Sequence, residues 1–154
     1  MQDNNLADQI ISLTGTLHRV SCGMLARQAD REDAVQAAIE KAWRKAATLR
    51  DPAKLKPWLI RVLINECHNI GRKASREMPM DILPEAATPD TSSTDGLREA
   101  VMALGELERM PILLHYMEGF SVAEIAVALR CPKGTVLSRM DRARKHLRRS
   151  LEEE

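Results

Sequence analysis

Apolar residues return at helical intervals along most of this chain. Leu6, Ile10, Leu13, Leu17, Val20 and Met24 follow at steps of four and three, an apolar seam for one long helix or two abutting ones. Gly15 and Gly23 lie in that stretch, each costing up to ~1 kcal/mol against alanine. Packing must therefore hold the helix, with a break expected near either glycine. A second seam, Ala34, Val35, Ala38, Ile39, Ala42 and Trp43, follows Asp30-Arg31-Glu32-Asp33. Asp30 reads as its N-cap, with acids in the first turn where the helix dipole favours them. Asp33, Gln36 and Glu40 fall on the polar side of that helix.

Asp51-Pro52 predicts a short capped segment, and Pro57 opens a helix over Trp58 through Lys73. Leu59, Ile60, Val62, Leu63, Ile64 and Ile70 make that helix apolar on more than one side, so it is expected to be largely buried. It ends in a polar stretch, Asn65, His68, Asn69, Arg72 and Lys73. Residues 74–94 then change character, with Pro79, Pro84, Pro89 and a Ser/Thr cluster. A connection this long without periodicity predicts a linker between two domains, 1–73 and 95–154. Beyond it, Leu97, Val101, Leu104, Leu107, Ile112, Leu113, Leu114 and Met117 supply further helical apolar positions, expected to pack inside the second domain. Pro111 sits in the first turn of a Leu107–Met117 helix or kinks it.

The most informative stretch is Phe120 to Leu151. Ser121 with Glu124 is a capping box, and Val122, Ile125, Ala126 and Leu129 give the helix after it one apolar face. Arg130-Cys131-Pro132 ends that helix. Gly134 supplies conformational freedom in the turn, and a second helix is expected to start near Thr135. On that helix Val136, Met140, Ala143 and Leu147 form a stripe, while Ser138, Asp141, Arg142, Lys145 and Arg149 point away from it. Two short helices around a tight turn, the second basic on its outer face, form a helix-turn-helix pattern. An αα-hairpin with a solvated charged face gives the same periodicity; capping box, turn residues and one-sided charge together favour the DNA-binding motif.

Charge sharpens this picture. Arg130 to Arg149 holds eight Lys or Arg against one acid, Asp141, whereas the whole chain carries only +1. Positive charge is thus concentrated where a DNA groove would lie. Residues 1–73 hold twelve basic and eight acidic residues, and residues 74–94 one basic and four acidic. Aromatics are only 3% of the 154 residues, so the core must be aliphatic, and the class predicted is all-α. Cys22, Cys67 and Cys131 show no metal-ligand spacing and suit a reducing cytoplasm. No signal peptide and no run of ~20 apolar residues is seen, so a soluble intracellular protein is expected. No phosphate loop, paired-carboxylate spacing or nucleophile triad points to an enzyme, a metal, a cofactor or a small-molecule substrate. His18, His68, His115 and His146 are scattered.

The strings GFSVAEIAVAL and CPKGTVLSR, after DREDAVQAAIEKAWRK and KPWLIRVLINECHNIGRK, make nearly the whole chain resemble the bacterial extracytoplasmic-function (ECF, group IV) sigma factors of RNA polymerase. The resemblance implies two helical domains. Residues 1–73 would be region 2, which binds core polymerase and melts and reads the −10 element. Residues 95–154 would be region 4, which reads the −35 element. It implies that Asp33 and Gln36 face the polymerase clamp helices with Ile39 packing nearby, although Ala37 replaces the acid usual in relatives. Lys54 and Lys56 would fall in the loop that captures a flipped −10 base, with Arg61, Asn65 and Asn69 on the helix behind it. The acidic linker would occupy the polymerase's RNA path.

In region 4, Thr135, Ser138, Arg139, Arg142 and Lys145 are the expected −35 contacts, and Lys133, Arg144 and Arg148 the expected phosphate contacts. Leu137 and Asp141 depart from what relatives often carry, so the promoter sequence does not transfer. The implied partners are core RNA polymerase, through its clamp helices and flap, promoter DNA, and an anti-sigma factor, often a membrane protein. The competing reading is a stand-alone dimeric helix-turn-helix regulator whose first 73 residues dimerise or sense.

Overall fold

The computed structural model describes residues 2–49, 51–77 and 95–152, and every regular element among them is helical. The chain forms two compact units, Met1–Glu85 and Ala86–Glu154. Most of the expected 74–94 linker lies outside the described residues.

In the first unit α1 (Gln2–Cys22) is a single helix. It passes through Gly15 without a break and stops just before Gly23, because Ile10, Leu17 and Val20 are all buried and packing outweighs the glycine's propensity cost. α2 (Gln28–Lys45) begins earlier than expected, so Asp30 stands inside its first turn rather than at the cap. The approach to it is held by Arg31, whose guanidinium donates to the carbonyls of Leu25 (3.1 Å) and Ala26 (2.8 Å). Ala34, Val35, Ala38 and Ala42 are buried in α2, small residues that let it lie close against α1 and α3. Trp43, expected in that stripe, is 49% exposed.

The Asp51 carboxylate accepts from the Ala53 backbone N–H at 3.0 Å, with Pro52 at the first position of the short 3-10 turn Pro52–Lys54, as its sequence predicts. This turn runs directly into α3 (Leu55–Glu77), so Pro57 lies within the first helical turn, where its missing N–H costs nothing. The helix also continues past Lys73. Leu55, Leu59, Ile60, Leu63, Ile64 and Cys67 are buried on α3. Among them sits a carboxylate, Glu66, ion-paired with Lys41 of α2; the Glu66 side chain is 11% exposed and that of Lys41 42%.

In the second unit α4 (Asp95–Ala103) and α5 (Glu106–Ile112) pack on α7 (Lys133–Glu152), as does α6 (Val122–Leu129). Pro111 lies in the second turn of α5, not the first, and a π-helical turn, Leu113–Met117, follows at once. Its wide five-residue spacing is visible in Glu118 N–H to Leu113 O (3.3 Å), and Phe120 N–H closes the following turn on Leu114 O (2.9 Å). A π turn advances the helix face by an extra residue. Leu114 and Phe120 therefore turn fully inward while Met117 is 69% exposed. Leu97 and Leu107, also expected inside, are 48% and 62% exposed; Met110, Ile112, Ile125, Val136, Met140 and Ala143 make the core with them absent.

Candidate nucleic-acid interface

The local chemistry of the second unit builds the predicted helix-turn-helix. At the start of α6 the Glu124 N–H donates to Ser121 Oγ (3.1 Å) and the Ser121 N–H to Glu124 Oε1 (2.9 Å), a complete capping box. The helix ends at Arg130, which takes the left-handed conformation (φ 55°, ψ 50°), and Cys131 N–H reaches back to Ala126 O at 3.1 Å. The turn thus places its unusual backbone angle on Arg130. Gly134, expected to supply it, is an ordinary helical residue, since α7 begins at Lys133 rather than near Thr135. A Cβ added at Gly134 would meet nothing within 4 Å.

Val136, Met140 and Ala143 bury one side of α7. At 3.6 residues per turn Thr135, Ser138, Arg139, Arg142 and Lys145 gather away from it. Ser138, Arg142 and Lys145 are exposed, and Thr135 and Arg139 half-buried. All five expected −35 residues thus share one outward surface. Two are already engaged: Arg139 Nη1 approaches Cys131 Sγ (3.9 Å), and Lys145 Nζ pairs with Asp141 Oδ2 (3.1 Å). Leu137, 53% exposed, lies toward the opposite edge. Of the expected phosphate contacts, Lys133 and Arg148 are exposed, and Arg144 donates to the Tyr116 hydroxyl (3.2 Å). His146 Nδ1 meets Glu108 Oε2 at 2.6 Å, tying α7 to α5.

In the first unit α3 carries a polar face opposite its buried one. Arg61, Asn65 and Asn69 recur at spacings of four that stack them along it, Arg72 joins by donating to Asn69 Oδ1, and Lys54 stands just ahead of the helix, at the end of the 3-10 turn. Lys54, Asn65 and Asn69 are exposed and Arg61 half-buried. Lys56 does not join them. Five residues from Arg61, it lies about half a turn round the helix, on the side that packs.

On α2 Asp33 and Gln36 are exposed and Ile39 half-buried at their flank. Glu40 and the half-exposed Trp43 extend the same stripe. The sequence assigned Trp43 to the core because it follows Ala42; the signal that places it outside is its spacing of seven from Gln36. Among the described residues no group of three or more His, Cys, Asp or Glu could hold a metal ion, and no helix is long and apolar enough to cross a membrane.

The chain resembles known proteins in both of its units. Residues 11–77 match the family model for Sigma-70 region 2, and residues 94–147 that for Sigma-70, region 4. The ECF RNA polymerase sigma factor SigM of Mycobacterium tuberculosis is 33% identical over 139 residues, covering 88% of this chain and 71% of that protein. The ECF RNA polymerase sigma-E factor of Escherichia coli K12 is 32% identical over 134 residues, covering 75% of this chain and 70% of its own. Among solved structures, the sigma factor RpoE in complex with the anti-sigma factor NepR from Bartonella quintana matches with a TM-score of 0.78 at 26% identity, over 96% of this chain and 97% of that one. Two sigma regions in the family's order, with relatives this similar over most of their length, make the chain a member of the ECF RNA polymerase sigma factor family.

Proposed function

We propose that this sigma factor works in the cytoplasm, with no catalytic chemistry of its own, by holding core RNA polymerase at promoters whose −35 and −10 elements its two units read. The family it belongs to initiates transcription by binding core polymerase and promoter DNA. What carries the finer reading is the outward face of α7, where Thr135, Ser138, Arg139, Arg142 and Lys145 stand together over a buried apolar stripe. Such a helix fits the major groove, and arginine can address a guanine edge through two hydrogen bonds. Residues 1–73 and 95–154 are the proposed functional domains.

The polar face of α3 is the proposed −10 surface. Extruding a base costs a few kcal/mol, so it needs polar partners for the displaced nucleotide. Lys54, Lys56, Arg61, Asn65 and Asn69 are those assigned to it, Lys56 from the half-buried flank of the helix's first turn. Asp33 and Gln36, with Ile39 beside them, are the proposed clamp contacts. An anti-sigma factor is the proposed regulator, supported by the RpoE–NepR complex to which the chain is similar.

Run-off transcription with purified core polymerase over genomic promoter fragments tests the whole reading. Discrete transcripts with this chain, lost when Asp33→Ala and Gln36→Ala are combined, are expected. Failure to co-elute with core polymerase, together with specific duplex binding by a dimer of the chain alone, would favour a stand-alone regulator instead.

A further inference from the structure

Resting on that reading, one residue of α7 stands out because its charge opposes its surroundings. Asp141 is the single acid among eight Lys and Arg between Arg130 and Arg149. An acid in the middle of a DNA-facing basic surface weakens attraction to phosphate, so its presence there asks for a compensating use. It is not structural: the Asp141 side chain is 57% exposed, and it pairs with Lys145, one turn along and itself 64% exposed. A solvated i,i+4 pair of this kind contributes little to folding.

Its position is more telling. Asp141 follows Ser138 by three residues and precedes Lys145 by four, so it lies in the same outward row as two residues assigned to the −35 element. From there a carboxylate offers acceptors only. The base edge that suits it best is the cytosine N4 amino group, the donor of a C·G pair in the major groove; guanine N7 and O6 or thymine O4 would face it acceptor to acceptor, and adenine sets its N6 donor beside the N7 acceptor, which repels a second carboxylate oxygen. The pair with Lys145 adds a second effect. While Nζ is held at 3.1 Å from Asp141 Oδ2 that lysine is partly neutralised and its freedom to settle on any nearby phosphate reduced.

We propose that Asp141 is a specificity-determining residue of the recognition helix. It selects a cytosine within the −35 element directly, and it restrains Lys145 from sequence-independent phosphate binding. Both effects act in the same direction, lowering affinity for wrong sites more than for right ones.

The test is a selection of −35 sequences from a randomised duplex library by the holoenzyme, carried out for the wild type, Asp141→Asn, Lys145→Met and the double variant, with the salt dependence of binding measured for each. A preference for cytosine at one position, falling roughly ten-fold in Asp141→Asn, is expected, the change corresponding to about 1.4 kcal/mol. The slope of log affinity against log salt should steepen by up to ~0.9 in Asp141→Asn, the contribution of one more neutralised phosphate. That steepening should vanish when Lys145→Met is added. An unchanged base preference and an unchanged salt slope in Asp141→Asn would overturn the proposal. Running the same selection without polymerase separates the two levels: a wild type that never engages polymerase, yet shows the Asp141-dependent preference on bare duplex, would refute the initiation reading and support the role of Asp141.

Discussion

The ion pair between Lys41 and Glu66 bridges α2 and α3, the two helices that carry the proposed polymerase and −10 faces, and its two ends are unequally buried. Two unit charges ~4 Å apart attract by about 4 kcal/mol at an effective dielectric of ~20. Against this stands the desolvation of Glu66, whose side chain is 11% exposed, while Lys41 at 42% keeps much of its hydration. Removing the lysine leaves a buried charge unpaired; removing the acid leaves a lysine that swings into water. Lys41→Met should therefore cost about 1–3 kcal/mol, below the ~3–5 of a fully buried pair because solvent already screens one partner. Glu66→Gln should cost under about 1 kcal/mol. A domain of this size shifts its midpoint by ~4–8 °C per kcal/mol, so Lys41→Met should melt several degrees to roughly 20 °C lower.

Both tryptophans of the chain, Trp43 and Trp58, lie in the first unit, so tryptophan fluorescence during urea or thermal unfolding reports that unit selectively. The pair Lys41→Met with Glu66→Met should recover most of the loss, because an apolar pair of similar volume replaces the buried ions. If Glu66→Gln costs as much as Lys41→Met, or the double variant is no better than Lys41→Met, the reasoning from unequal burial is wrong.

Three further outcomes are expected. Ile125 is fully buried beneath the helix-turn-helix, so Ile125→Ala should lose about 2–5 kcal/mol, seen as an earlier loss of helical circular dichroism while the tryptophan transition stays in place. Gly134 is helical with open space where a Cβ would stand, whereas Arg130 occupies the left-handed region; Gly134→Ala and Arg130→Gly should each raise stability by a few tenths to ~1 kcal/mol by chemical unfolding, and destabilisation by either would contradict the turn as described. Arg142→Ala should relax promoter preference by about 1–3 kcal/mol at one base pair, whereas Arg148→Ala should weaken binding uniformly and flatten its salt dependence, both measured by holoenzyme binding to a panel of −35 variants.

How much of this was legible beforehand follows from what each residue must satisfy. The stripe Val136, Met140, Ala143 and the capping box at Ser121 were readable because burial and hydrogen-bond demand act within one helix or one turn. Asn65 and Asn69 were read only as part of a polar helix end, and both are exposed. The π turn after Pro111 was not legible, since a helix-forming sequence gives no local sign of a wide turn. Met117, which lies on that turn, was displaced from the expected apolar face, whereas the capping box and the α7 stripe beyond it kept their places. Trp43 misled for another reason. A large apolar residue next to Ala42 reads as core, but its azimuth follows Gln36 and Glu40, on the exposed side of α2. Gly134 misled because glycine tolerates a left-handed angle without requiring it; the helix instead started two residues earlier, at Lys133, and the left-handed angle fell on Arg130.

The same division between packed and exposed positions bears on the three residues that the family resemblance marks as departures. Of the three departures seen in its sequence, Leu137 and Asp141 are exposed and Ala37 is half-buried, and none belongs to the buried core. Exposed substitutions away from caps and buried networks usually change stability by less than about 0.5 kcal/mol. Folding therefore places little constraint on what stands at Leu137 and Asp141. A helix held by Val136, Met140 and Ala143 can exchange its outward residues without exchanging its position. The fold explains why the family is recognisable at about one identity in three. It does not explain an acid among eight bases. The cause of that residue has to be sought in the surface the helix meets.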